Sequence, residues 1–324
     1  MSEPRLNLAF TGISSFLRSP VCTDLSQLDA DIAFLGFPTD EGSGWLPGSR
    51  LGPRKVREMS LRFASGATGD QAGFWDIDED KRYLAHEMGN DRIRDCGDVD
   101  VIYTRPDLSW DNATAAVQQI LAAGAMPIVA GGDHAITYSI VRAYDGPVQV
   151  VHFDAHIDYQ PFIHGVEHSH GNPIRMLRKL DNVTSIVQVG IRSFRTAEQD
   201  YRDAVRDGNR VLTTRQYQRD GVTAIGETLD PDIPTYVSVD VDVLDIALAP
   251  GVATPEPSGL SYDELRDALV YLAENFPVCG LDVVEINPML DTDSHPTSFL
   301  STQLMIEFIA HAFADNRRGN RPVG

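Results

Sequence analysis

The feature that most restricts the fold of this chain is an alternation of short, continuously apolar runs with stretches of helical periodicity. Asp31–Phe37, Met126–Ala130, Val148–Phe153, Ser185–Gly190, Thr235–Val239 and Val278–Val284 read as strands. Asn112–Ala123, Ala135–Ala143, Tyr262–Asn275 (capped by Ser261) and Thr302–Ala314 read as helices. Strands that are apolar on both faces need cover on both faces, which a parallel sheet between two helical layers supplies. The 324 residues are 42% hydrophobic and contain no repeat, low-complexity tract or linker-like stretch. They predict one domain over residues 1–324, a three-layer α/β/α domain with a mainly parallel central sheet. The charged segment Gly66–Gly97 is expected to be an excursion from it, a hairpin rather than a second domain.

Charge and composition narrow the function classes. A net charge of −20 opposes binding to nucleic acid or an anionic membrane, since both need a basic surface, and it is compatible with a small cationic substrate. No apolar run reaches the roughly 18 residues needed to cross a bilayer, and Met1–Ser19 has no leader pattern. Cys22, Cys96 and Cys279 are too few and scattered for a disulfide framework or a C-x-x-C zinc site, which suits a reducing cytoplasm.

The acids and histidines that carry chemistry stand at strand ends. Met126–Ala130 runs into Gly131-Gly132-Asp133-His134, Val148–Phe153 into Asp154-Ala155-His156-Ile157-Asp158, and Thr235–Val239 into Asp240-Val241-Asp242. Parallel α/β sheets build their binding crevices at these carboxyl ends. In extended backbone, residues two apart face the same side, so Asp154, His156 and Asp158 can converge, as can Asp240 and Asp242. One such cluster is ordinarily a cap or a solvated turn. Three together would repel one another without a counter-charge. Four carboxylates and two histidines exceed the needs of one ion, suit two ions bridged by shared carboxylates, and lack the thiolate that favours zinc. Two Mn²⁺ are therefore expected, with Ni²⁺ and Co²⁺ chemically compatible.

Together, Gly131–His134 (GGDH), Phe153–Asp158 (FDAHID) and Ser238–Asp245 (SVDVDVLD) resemble the three signature motifs of the ureohydrolases, the arginase/agmatinase family, over about Ile32–Phe313. The resemblance implies an arginase-like fold and cleavage of a guanidino compound to urea and an amine. It implies that His134, Asp154, Asp158 and Asp240 hold one Mn²⁺ and that His156, Asp154, Asp240 and Asp242 hold the other. Asp158 would also orient the attacking hydroxide. Glu285, in Glu285-Ile286-Asn287-Pro288, matches the glutamate that binds the guanidinium, and His170 matches the histidine that passes protons to the leaving amine. His168 is the rival to His170 in the same loop. His152 reads as a buried, hydrogen-bonded core histidine. The family commonly forms trimers or hexamers, so a homo-oligomer is expected. Pro47–Arg57 resembles the family's G-x-R-x-G-P-x-x-[IV]-R segment, expected as a loop entering a helix near the site rim, with its arginines there or in subunit contacts.

The substrate is less constrained. Tyr159–Ser169 (YQPFIHGVEHS) lacks the arginase Ser/Asn pattern that grips an α-amino acid. Glu167 is a candidate to receive an amine tail, which favours agmatine, cleaved to putrescine and urea, over guanidinobutyrate or guanidinopropionate. Ile246, Ala253 and Ser258 depart from the family's usual residues, the last two from glycine, and put the loop shape beside the substrate in question. Two rival classes are a single-zinc deacetylase on the same fold, opposed by the complete two-ion set and Glu285, and a non-catalytic relative, opposed by the absence of any lost ligand.

Overall fold

A computed structural model describes residues 8–64 and 72–314. The start of the expected excursion, residues 66–71, lies outside the described residues, as do 1–7 of the segment read for a leader.

Eight strands form one sheet in which every pairing is parallel. They are β1 (Ile32–Phe37), β4 (Ile93–Asp98), β5 (Met126–Gly131), β6 (Val148–Phe153), β7 (Val183–Ile191), β8 (Arg210–Thr213), β9 (Thr235–Asp240) and β10 (Val278–Val284). Their order is β4-β1-β5-β10-β9-β6-β7-β8. Five of the eight are buried along their whole length (β1, β5, β6, β9 and β10), which is why they read as unbroken apolar runs.

Successive residues of these strands feed opposite cores. Phe34, Ile128, Val151, Val237 and Leu281 pack toward α1 (Gly52–Ser60), α9 (Tyr262–Asn275) and α10 (Pro296–Ala312). Leu35, Val129, Val150 and Tyr236 pack toward α3 (Pro106–Ala122), α4 (Ile136–Val141) and α5 (Pro173–Leu177). The result is the three-layer arrangement the sequence predicts. No described helix is long and apolar enough to cross a membrane.

The excursion is only partly as expected. Phe74–Asp76 (β2) and Lys81–Tyr83 (β3) do form an antiparallel hairpin, followed by the short helix α2 (Ala85–Gly89). The end of the segment, however, is β4, the edge strand of the main sheet. Its sequence, IRDCGD, hides this because its buried acid, Asp95, is neutralised from a distance: Arg57 on α1 donates to Asp95 Oδ2 at 2.8 Å and to Asp95 Oδ1 at 2.9 Å. Arg57 also donates to Asp98 and to the Gly97 carbonyl, and Arg50 binds Asp40, so two of the three arginines of Pro47–Arg57 are engaged inside the chain, while Arg54 is exposed. Helix α10 starts at Pro296 rather than Thr302. Its first N–H groups are capped by Asp291, which accepts from Thr297 N and Ser298 N, so no local cap signal marks the start. By contrast α9 has the bounds predicted, with a capping box between Ser261 and Glu264.

Register brings the chemistry level. Phe153 pairs with Val239, Val239 with Val283, and Val283 with Ala130. The carboxyl ends of β5, β10, β9 and β6, neighbours in the middle of the sheet, therefore deliver Asp133-His134, Glu285, Asp240-Val241-Asp242 and Asp154 to one edge. Gly132 is required there, because a Cβ would lie 1.7 Å from the Thr39 carbonyl oxygen.

Candidate active site

All six expected ligands meet at this edge. His134 Nδ1 lies 3.1 Å from Asp154 Oδ2, 3.1 Å from Asp158 Oδ2 and 3.3 Å from Asp240 Oδ2. His156 Nδ1 lies 3.0 Å from Asp242 Oδ2 and 3.4 Å from Asp154 Oδ1. Asp154 thus gives one oxygen to each group. Asp240 reaches the first group through Oδ2, while its Oδ1 accepts from Asp242 N at 2.9 Å.

The surroundings of His134 show what the cluster is suited to. Ser238 Oγ donates to Asp282 Oδ1 at 2.6 Å, which leaves the serine oxygen to accept from His134 Nε2 at 3.0 Å. Tyr236 donates to the other oxygen of Asp282 at 2.8 Å. With Nε2 taken by Ser238, His134 turns Nδ1 toward the three carboxylate oxygens of Asp154, Asp158 and Asp240. Burial disfavours the imidazolium, but hydrogen bonds to Asp154, Asp158 and Asp240 outweigh it and raise His134 well above its usual range. Positive charge is needed at Nδ1, a place a proton or a metal ion can fill. Behind Asp154, His152 is fully buried. The Gln188 amide sits 3.2 Å from its Nδ1, and His152 Nε2 lies 2.9 Å from Asp154 Oδ2. His152 is the buried, bonded histidine the sequence predicts, and it also orients Asp154.

The acids titrate accordingly. Burial, joined by the charges of Asp242 and Asp154, pushes Asp240 well above the usual carboxylate range. Burial and the charge of Asp154 raise Asp158, and burial raises Asp242. Burial acts on Asp154 too, but hydrogen bonds from His134, His152 and His156 outweigh it and hold Asp154 well below that range. So many buried carboxylates are at odds with one another unless positive charge is supplied. The donor set fits two divalent ions.

Beside the cluster, Glu285 is 2% exposed and has left-handed backbone (φ +63°), as does Asp158 (φ +47°). Glu285 Oε1 accepts from His134 N at 3.1 Å and lies 3.2 Å from His170 Nδ1. Its Oε2 is buried with no hydrogen-bond partner among the described residues. Burial disfavours the His170 imidazolium. The Glu285 hydrogen bond and the charges of Glu285, Asp158 and Asp133 outweigh burial and push His170 up to about 9. His156, Asp158, His170 and Asp240 line one cleft of about 120 Å³.

Comparison with known proteins decides the family. The arginase family model matches residues 30–311. The chain belongs to the arginase family. Among its relatives, a mitochondrial agmatinase of Gallus gallus is 34% identical, over 92% of this chain and 85% of the relative. A mitochondrial guanidino acid hydrolase of Homo sapiens is also 34% identical, over 92% and 82%. The solved proclavaminate amidino hydrolase of Streptomyces clavuligerus superposes with a TM-score of 0.81 at 30% identity, covering 94% of this chain and 98% of that one. This arginase-family protein is a hydrolase of the ureohydrolase type, among the agmatinase-like members.

Two residues singled out in the sequence are not brought to the cleft. Glu167 is exposed and pairs with Lys179 at 2.8 Å. His168 stacks on Trp110, with ring centroids 3.8 Å apart, and burial lowers its pKa. Of the departures from family pattern, Ser258 does occupy left-handed backbone (φ +61°), where glycine is the unstrained residue; Ala253 does not.

Sequence reading overlooked the loop after β7. Arg192 donates to the carbonyls of Gly190, Asp242, Val243, Leu244, Glu256 and Pro257, tying the loops behind Asp242 together. Ser193 Oγ donates to Glu256 Oε1 at 2.7 Å, and Arg195 Nε donates to the same oxygen at 3.1 Å. Glu256 Oε1 lies 3.5 Å from His156 Nε2, behind an expected metal ligand. The available signal was position: these residues follow a buried parallel strand, as the three acid clusters do.

Proposed function

We propose that this protein is a binuclear manganese hydrolase that cleaves a small guanidino compound to urea and an amine. The observation that carries the reading is the division of Asp154, one oxygen to the His134 group and one to the His156 group, beside an orphaned buried oxygen of Glu285. His134, Asp154, Asp158 and Asp240 would hold one ion; His156, Asp154, Asp242 and a shared Asp240 would hold the other. Bound there, two dications supply the missing counter-charge and make hydroxide available from water at neutral pH.

The chain's own residues supply the remainder. Glu285, with Oε1 pinned, offers Oε2 to the N–H edge of a planar guanidinium, a charge-assisted pairing that neutralises both buried partners. Asp158 turns Oδ2 into the cluster and lines the cleft, so it can accept a hydrogen bond from the attacking hydroxyl. His170, with Nδ1 toward Glu285, has Nε2 available to deliver a proton to the departing amine nitrogen.

Agmatine loses the residue that favoured it, because Glu167 is held at the surface by Lys179. The test is urea release by the Mn²⁺-loaded protein from agmatine, arginine, guanidinobutyrate, guanidinopropionate and guanidine, with a Ni²⁺-loaded control. Turnover of at least one compound is expected; no urea from any, with both ions bound, would contradict the reading.

A further inference from the structure

Two arginines leave β7 within four residues, and they serve different ends. Arg192 spends its guanidinium on backbone carbonyls and is held inside the loops. Arg195 lines the cleft with a side chain 60% exposed. Glu256 fixes it along its Nε edge at 3.1 Å and is itself held by Ser193 Oγ, so the guanidinium is positioned on the wall rather than free in solvent. Its Nη2 comes within 2.8 Å of His156 Nε2, and Nη1 makes no hydrogen bond among the described residues. Among the described residues lining the cleft, Arg195 is the one side chain with a permanent positive charge. Ser193 and Thr196 add hydroxyls on either side of it.

Resting on the reading above, we propose that Arg195 recognises a carboxylate at the far end of the substrate, which makes this an ω-guanidino acid hydrolase. His170 lines the cleft with Glu285 3.2 Å from its Nδ1, so the guanidinium site adjoins the cleft that bears Arg195. Glu285 takes the guanidinium, and Arg195 takes the tail in the planar, two-point pairing that guanidinium and carboxylate favour. Asp200 lines the same cleft and makes no ion pair among the described residues. It is the group that a cationic tail would use instead, so the two charges make opposite predictions.

The test compares 4-guanidinobutyrate with agmatine, which differ chiefly in the sign of the tail, through the ratio of their kcat/KM values. For the wild-type enzyme we expect a ratio of about ten or more in favour of guanidinobutyrate. Arg195→Gln is expected to cut that ratio about tenfold, through the KM for guanidinobutyrate rather than kcat, with manganese content unchanged. Asp200→Asn is expected to hold the ratio at or above the wild-type value. A wild-type preference for agmatine that Asp200→Asn removes overturns the proposal, as does an Arg195→Gln variant that weakens both compounds alike. Urea from neither compound, when another of the five guanidino compounds is turned over, overturns this inference alone. Urea from none of the five, with two ions bound, overturns the underlying hydrolase reading and this inference with it.

Discussion

Glu285 Oε1 and the backbone N–H of His134 share a 3.1 Å hydrogen bond across 151 residues of sequence, joining the ends of β10 and β5. The bond fixes the carboxylate without using Oε2, and it would tie the proposed guanidinium recognition to the residue that presents Nδ1 to the carboxylate cluster. Glu285→Gln should therefore retain both ions and lose kcat/KM by about a thousandfold, roughly 4 kcal/mol of transition-state stabilisation. Metal analysis together with urea assays checks this; an ion lost with the carboxylate would make Glu285 a ligand instead.

His152 bonds Asp154 from behind and does not itself face the shared position. Replacing it with phenylalanine should weaken manganese binding about tenfold to a hundredfold, as loss of a hydrogen bond to a ligand does, with activity restored at high Mn²⁺. A Mn²⁺ titration of activity reads this directly. An unchanged titration curve would show that Asp154 needs no such support.

His170 is pushed up to about 9 by Glu285, Asp158 and Asp133 against the effect of burial. As the proposed proton donor, it would contribute below that value and lose its contribution as pH rises through it. Bound dications oppose the imidazolium, so the alkaline fall in kcat should lie at or below about pH 9. The kcat–pH profile of His170→Asn should lack this limb.

Arg57 and Asp95 are a buried pair holding α1 against β4, with Asp95 also accepting from Phe16 N at 2.8 Å. Arg57→Ala leaves that acid buried without its cation and should destabilise the fold by about 3–5 kcal/mol. Urea denaturation measures it. Near-native stability would mean that Asp95 finds another donor or takes up a proton at little cost.

The strand ends were legible because two requirements coincide there: strands buried on both faces must be apolar, and three acid clusters brought together after them repel one another unless a cation binds. That logic reached His134, Asp154, His156, Asp158, Asp240 and Asp242, while Glu285 was found through the resemblance to the family motif. It missed β4, where the partner of Asp95 comes from Arg57, 38 residues earlier. It missed the first turn of α10, whose cap is Asp291 across a loop. It gave Glu167 a role on proximity in sequence alone, whereas a surface lysine holds it, and it passed over Arg195, which has no spacing motif. Ser258 was singled out for the right physical reason, since its φ of +61° is glycine backbone carried by a serine.

The most direct test of the central claim is the number of Mn²⁺ ions held per chain by the wild-type protein and by Asp154→Asn. Because Asp154 gives one oxygen to each histidine group, the wild type should hold two ions and the variant fewer than one, with urea release lost. A wild type that saturates at one ion, or a variant that keeps two and still turns over, would contradict the account.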